Sequence, residues 1–280
     1  RNKMVLLLKH SLKARVTLFS LAIFVLGIWV LAFFASHMLR DDMQRMLGDQ
    51  QLQTTSFVAD RINQELETRF QILNKVAGII TPSILGNPLA LQALLEERLI
   101  LQGPFNGDIF VTGLDGVSLA SLPLSAEGIS RIGVSYMDRD YMITALKDGK
   151  QAISKPVMGK VLKYPVFAMV VPIVDTQGKV VGALTGVINL GKPSFLDKIT
   201  DSKYGRTGGY VINAPQPRLV ITATDKSRVM EELPPRGVNW LIDRFIDGYE
   251  GSGIVVNPLG VEVLASAKGI MFHTDAVQAV

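Results

Sequence analysis

Ser135-Tyr-Met-Asp-Arg-Asp-Tyr141 opens the decisive stretch, which continues through Gln151-Ala-Ile-Ser-Lys-Pro156 and Tyr164-Pro-Val-Phe-Ala-Met-Val-Val-Pro-Ile-Val-Asp175. Thr176-Gln-Gly178 then leads into Lys179-Val-Val-Gly-Ala-Leu-Thr-Gly-Val-Ile-Asn-Leu190. Both long runs are rich in aromatic and β-branched residues, the side chains that suit a pleated surface. A Gly-containing turn joins them, so residues 164–190 read as an antiparallel hairpin. A short helical segment ending at Gly149 precedes it.

The pattern recurs on either side. Upstream, Asp108-Ile-Phe-Val-Thr-Gly113, the turn Leu-Asp-Gly116 and Val117-Ser-Leu-Ala-Ser-Leu122 read as strand, turn and strand. With the hairpin they make an antiparallel sheet flanked by helices, an α+β module. Downstream, residues 209–214 and 218–224 flank a Pro-rich turn, and residues 253–257 and 261–266 flank Pro-Leu-Gly260. Helical stretches are expected at 225–232 and 238–248, so a second module repeats the first, divided from it near residues 201–207.

At 280 residues, 48% hydrophobic and 19% charged, the chain is more apolar than an average soluble domain. Residues 16–39 contain no Asp, Glu, Lys or Arg and only His37 as an ionisable group. That length crosses about 30 Å of hydrocarbon as a helix. Arg1, Lys3, Lys9, Lys13 and Arg15 precede it without an acid, whereas Asp41 and Asp42 follow Arg40, which places residues 1–15 in the cytoplasm and the rest outside. A cleaved signal would need a shorter apolar core and a small-x-small site, and Phe-Ala-Ser-His is a poor one. From Met43, apolar residues recur at three- and four-residue spacings through Phe57, Ile62, Leu66, Phe70, Leu73 and Ile80, a long amphipathic helix expected to end at Pro82. A further helix, largely buried, is expected at 89–102. The dispersed Lys and Arg residues and the net charge of +4 give no nucleic-acid footprint, and the lack of cysteine excludes disulfides and thiolate metal sites.

The order and spacing of Arg139 and Tyr141, Ser154 and Pro156, Pro172-Ile173, Gly178 and Val180-Val181-Gly182 resemble those of double Cache domains, the extracytoplasmic sensors of bacterial transmembrane signalling proteins. The resemblance covers roughly residues 40–270. It implies a transmembrane helix continuing into a stalk helix over 40–80, then two tandem PAS-like modules with antiparallel sheets: a membrane-distal one at 81–200 and a membrane-proximal one at 201–270. The ordinary reading of the apolar row is a helix that packs on its own domain; the resemblance implies that the stalk also meets a second copy in a parallel homodimer, with Ile62 on the seam, in the cytoplasmic membrane, and both can hold. The family adds a last strand and a second transmembrane helix leading to a cyclase, kinase or chemoreceptor output. Residues 271–280 contain no hydrophobic span, so an atypical or truncated tail is expected there.

Enzymatic motifs are absent: there is no Gly-x-Ser-x-Gly, His-Glu-x-x-His, Walker loop or Gly-x-Gly-x-x-Gly ahead of a helix, and His10, His37 and His273 lie outside any expected pocket. No metal or cofactor is expected, and any catalytic activity would belong to a domain beyond this chain. The resemblance implies that Arg139 and Tyr141 point into the distal cavity and hold a ligand carboxylate. An Arg fork matches a carboxylate, and a Tyr hydroxyl adds a donor on a rigid ring. The bland alternative pairs Arg139 with Asp138 or Asp140 on the surface. Amino-acid-sensing members carry a Trp between the Arg and the Tyr and an Asp at the end of the Val-Val-Gly strand, where this chain has Asp140 and Asn189. A neutral Asn cannot balance a desolvated ammonium, which disfavours an amino acid and favours a small carboxylate or another polar metabolite. Tyr136, Lys155, Tyr164 and Phe167 are further cavity candidates, with core packing or solvated charge as their ordinary roles. An anchored binding or scaffolding module without signalling output is the second reading, and an anchored hydrolase the third.

Overall fold

The computed structural model describes residues 12–101, 103–123, 130–161, 163–201, 205, 207–257, 259–270 and 278–279. Its contacts divide the chain into two units, Arg1–Gln50 and Gln51–Val280. The first is helical throughout its described part, and its apolar side chains over residues 16–39 are exposed. They belong to α1 (Leu12–Ala77), a helix of 66 residues. Among the described residues it is the one helix long and apolar enough to cross a membrane.

In the second unit, α1 buries Val58, Ala59, Ile62, Leu66, Phe70, Leu73, Val76 and Ala77 in the unit's own core. From Val58 onward the apolar row is therefore packed on the chain's own domain, and Ile62, expected on the seam, is only 1% exposed. Phe57, 67% exposed, is the large apolar side chain on the opposite face. The helix ends at Ala77, before Pro82 is reached. Pro82 instead begins α2 (Pro82–Leu85), where its missing N–H costs nothing. α3 (Pro88–Glu97) starts at the Asn87 cap, whose Oδ1 accepts from the Ala90 N–H at 3.2 Å. α3 buries Leu91 and Leu95 but leaves Leu89 84% exposed, so this helix is shorter and less covered than its composition suggests.

The first sheet contains β1 (Ile109–Gly113), β2 (Ser118–Leu122), β3 (Ala152–Ile153), β4 (Val157–Met158), β5 (Pro165–Val174) and β6 (Val180–Asn189), with α4 (Asp140–Lys147) between β2 and β3. The order is β2-β1-β6-β5-β3, with β4 also on β5, and the pairs are antiparallel. Asp175 Oδ1 accepts from the N–H groups of Gln177 and Lys179, both at 2.9 Å, and Gly178 takes φ of +80° to close the hairpin. Strand alternation sends Phe167, Met169, Val171 and Ile173 to the core shared with α1, and Val166, Ala168 and Val170 to a second core under α4. Because both faces are covered, β5 and β6 read as continuous apolar runs rather than alternating ones.

The second sheet joins β7 (Val211–Ala214), β8 (Leu219–Ala223), β9 (Gly251–Val256), β10 (Glu262–Gly269) and β11 (Gln278–Ala279) in the order β8-β7-β11-β10-β9. α5 (Phe195–Thr200) leads into β7 and β8, and α6 (Trp240–Ile246) precedes β9 and β10. The helix expected over 225–232 is only a 3₁₀ turn at Lys226–Arg228. β11 pairs with both β7 and β10. A tail without a hydrophobic run thus supplies a strand inside the sheet, because two residues of backbone pairing require no apolar pattern. The reading of residues 271–277 lies outside the described residues.

One close approach sets the packing of the first core. Gly186 pairs with Ile109 and Met169, and a Cβ there would lie 2.4 Å from the Phe105 ring. Gly186→Ala is expected to cost about 1–3 kcal/mol through overpacking. Phe105→Leu in the same chain should recover part of that loss, as measured by thermal unfolding. A Gly186→Ala chain as stable as the parent would show that the ring yields freely.

Candidate functional site

α4 lies over the face of the first sheet that carries Phe110, Val166, Ala168 and Val187. Asp140 stands in its first turn and Lys147 in its last, the charge order that the helix dipole favours. Tyr141, Met142, Ala145 and Leu146 form its buried side. Two spaces adjoin this helix. The outer cavity, about 350 Å³, is bordered by Asp138, Asp140, Thr144, Ser154, Lys155 and Gln216. The inner one, about 20 Å³, is bordered by Phe110, Arg131, Tyr136, Lys160, Val166 and Val187. Arg139, Tyr141 and Val157 border both.

Arg139 is half-buried, and its Nε is 3.9 Å from Asp138 Oδ2, the outer limit of an ion pair. The surface pairing is therefore present but loose, and the guanidinium still faces both spaces. Tyr141 is 8% exposed, and burial pushes its hydroxyl pKa up. Tyr136 borders the inner space only: its hydroxyl accepts from Arg131 Nη1 at 2.9 Å and its ring stacks on Phe110 at 4.5 Å. Burial raises its pKa too, against the pull of the Arg131 guanidinium. Asp140 and Lys155 are exposed on the rim of the outer cavity.

Three candidates fall elsewhere. Phe167 is 5% exposed but belongs to the core on the opposite face, facing α1, since odd-numbered residues of β5 point away from α4. Tyr164, 37% exposed, borders neither space. Asn189 is on the α4 face and 1% exposed, yet it too borders neither. Its Oδ1 accepts from the Gly191 N–H at 2.8 Å and closes the exit from β6, while Nδ2 is buried without a partner.

The structure adds residues that the motif did not indicate. Arg131 and Asp108 are 2% and 0% exposed and form an ion pair of 2.6 Å between Nε and Oδ2. Arg131 also lies 5.6 Å from the Phe110 ring. Lys160 donates to the Ser135 carbonyl at 2.7 Å and to Asp138, and stands 5.5 Å from the Tyr136 ring. Gln216 reaches the outer cavity from the β7–β8 turn of the second sheet. The one signal for the buried pair was an acid, Asp108, set directly before an apolar strand. Its partner is 23 residues away, at a distance in sequence that no local pattern reports.

Asp108→Ala leaves a guanidinium buried without its counter-charge and is expected to destabilise by about 3–5 kcal/mol. Asp138→Ala, on a side chain 60% exposed, should change stability by less than about 1 kcal/mol. Denaturant unfolding of the two variants checks the contrast; equal small losses would mean that the inner pair is solvated.

The family model for the Cache domain matches residues 39–270. No curated protein matches the sequence. Among solved structures, the ligand-binding domain of the Pseudomonas aeruginosa PAO1 amino acid chemoreceptor PctB with L-Arg is 17% identical, with a TM-score of 0.61, over 83% of this chain and 93% of that one. The Pseudomonas fluorescens chemoreceptor CtaA ligand-binding domain with L-isoleucine is 16% identical, with a TM-score of 0.62, over 87% and 92%. An extracellular ligand-binding receptor from Desulfohalobium retbaense DSM5692 is 13% identical, with a TM-score of 0.58, over 81% of this chain. The chain spans only 38% of that receptor's length. These likenesses show a shared fold. With a family match over residues 39–270 and two antiparallel sheets in tandem, the chain belongs to the Cache domain family and holds a double Cache sensor domain.

Proposed function

We propose that this chain is the membrane-anchored, extracytoplasmic ligand-sensing part of a bacterial signalling receptor, with its ligand bound under α4 through a carboxylate. The observation that carries the reading is the position of Arg139 and Tyr141 on the wall shared by a 350 Å³ cavity and the space beneath it. A planar cationic fork and a phenol beside apolar walls select a carboxylate over a neutral or cationic group. PctB and CtaA are described with L-Gln, L-Arg and L-isoleucine, all of which carry a carboxylate. Amino acids are thus the second reading, against which Asn189 stands, a neutral amide already engaged with the Gly191 N–H. The proposal gives the chain no catalytic role and leaves signal output to a further domain.

Binding is measured by thermal shift of the whole chain in detergent micelles, because residues 278–279 complete the second sheet and a shorter piece would lose them. Organic acids are expected to raise the melting temperature more than amines or nucleobases. Arg139→Ala should weaken the best acid by about 2–5 kcal/mol. Equal binding by Arg139→Ala, or a cation as best ligand, removes the carboxylate reading. An amino acid that outbinds its desamino analogue favours the second one.

The anchor is the apolar stretch 16–39 of α1, with the basic N-terminus inside, and a second copy meets this one along the exposed side of the helix. Since Ile62 is buried, we place the seam on the exposed face that carries Phe57. Phe57→Cys is expected to crosslink to its partner when a membrane-impermeant bismaleimide is added to spheroplasts, and Ile62→Cys is not. Labelling at position 57 without crosslinking would refute the dimer, and no labelling at all would refute the orientation.

A further inference from the structure

We infer that the β9–β10 hairpin is a membrane-surface contact, its tip resting in the headgroup layer of the bilayer; the inference rests on the proposed anchor at residues 16–39. Residues 251–261 carry no charged side chain. Within them Leu259 is 86% exposed, and Ile254, Val256 and Val261 are exposed as well. Single exposed apolar residues are ordinary, but four on one hairpin form a patch. β9 is also an edge strand of its sheet. An apolar edge with no charge to guard it invites pairing with other strands, so a stable chain keeps such an edge covered.

The backbone of the tip suits a surface poorer in water. Asn257 Oδ1 accepts from the N–H groups of Leu259 and Val261, both at 3.0 Å, and the Asn257 carbonyl accepts from the Gly260 N–H at 2.9 Å. The Asn257 N–H donates to the Val261 carbonyl at 2.9 Å, and Pro258 has no N–H to satisfy. The turn thus presents Leu259 outward with its own donors already bonded, and entry into the headgroup layer strips none of them of a partner.

Tether length selects the bilayer as the occupant. Gln51 Nε2 donates to the Leu264 carbonyl at 3.1 Å, which ties α1 to β10 at the root of the hairpin. Twelve residues of α1 separate Gln51 from Leu39, the last of the apolar stretch, about 18 Å of helix. Five residues lead from Leu264 back to Leu259, about 17 Å when extended. Arm and tether are of similar length, so the tip is within reach of the surface. Charge bounds the depth: Glu262, in register with Val256, and the Glu250–Lys268 ion pair beyond it stay in water. Leu259 and its immediate neighbours are the part that enters.

The chain has no cysteine, so a single one can be labelled without interference. Leu259→Cys and, as a control, Leu89→Cys on α3, 84% exposed in the parent, each carry an environment-sensitive fluorophore on the whole chain in phosphatidylcholine vesicles. The label at 259 is expected to emit at shorter wavelength than the label at 89, to be quenched by phosphatidylcholine spin-labelled at its headgroup, and to resist aqueous iodide. Iodide quenching at 259 equal to that at 89, with no quenching by the lipid, overturns the contact. Shielding from iodide without quenching by the lipid assigns the tip to a protein surface, a second copy included, and likewise overturns it. Alkaline carbonate separates this result from the anchor. A chain that stays in the vesicles keeps the anchor even when the hairpin contact fails, whereas a chain that is extracted refutes the anchor and this inference with it.

Discussion

The β5–β6 hairpin is apolar on both faces, and the rest of the second unit follows from the need to cover it twice. Met169, Val171, Leu184 and Ile188 face one way, and Ala168, Val170, Ala183 and Val187 the other. At about 25 cal/mol per Å² of apolar surface removed from water, neither face can be left exposed in a stable domain. α1, α3 and the loop that carries Phe105 cover the first face, closely enough for Gly186 to be required beneath the Phe105 ring. α4 covers the second with a helix of eight residues, too short to fill the whole surface. The space left around its N-terminal end is the cavity. The site is thus a consequence of unequal covering: a long helix on one side leaves only a small apolar gap, and a short one on the other leaves the larger cavity.

Polar groups in this second layer are held by the same economy. Asp108 and Arg131 are inside a largely apolar core, where each alone would be costly, and together they fix the strand β1 to the segment that leads into α4. Tyr136 extends the pair to the ring stacked on Phe110. On the opposite side of the sheet a second charge is held by contacts of another kind. Arg69 of α1 bonds Glu65 and the Pro104 carbonyl, and its guanidinium lies 3.7 Å from the Phe195 ring at the start of α5. One helix is thereby tied to the loop before the first sheet and to the helix that leads to the second.

The two sheets approach each other at the outer cavity. Gln216, from the turn between β7 and β8, borders the outer cavity, and Ile153 and Ser154 border both that cavity and a small apolar gap reached by Ile62 and Leu66 of α1 and by Ile212 and Ile221 of the second sheet. A ligand in the outer cavity, as proposed, would touch Ile153 and Ser154, which also border the gap lined by α1 and the second sheet. That is the physical condition for a shift between two arrangements of packed elements, since tight cores change in discrete steps rather than by continuous deformation.

Local chemistry was sufficient for much of this. The β-branched runs, the Asp175-to-Gly178 turn and the Arg139 and Tyr141 spacing depend on residues close in the chain, and the hairpin, α4 and the tandem sheets were legible from them. The apolar stretch 16–39 was legible for the same reason, since its length and composition are properties of the sequence itself. What the sequence could not determine was which partner each pattern meets. A 3.6-residue apolar row on α1 is compatible with a second chain or with the molecule's own sheet, and only the packed structure put Ile62 against the latter. A run apolar on both faces conceals which face holds the cavity, so Phe167 could not be told from Val166 until α1 and α4 had taken their sides. The Asp108–Arg131 pair and the reach of Gln216 into the cavity join residues far apart in sequence, and such pairings exist only once the chain has closed on itself.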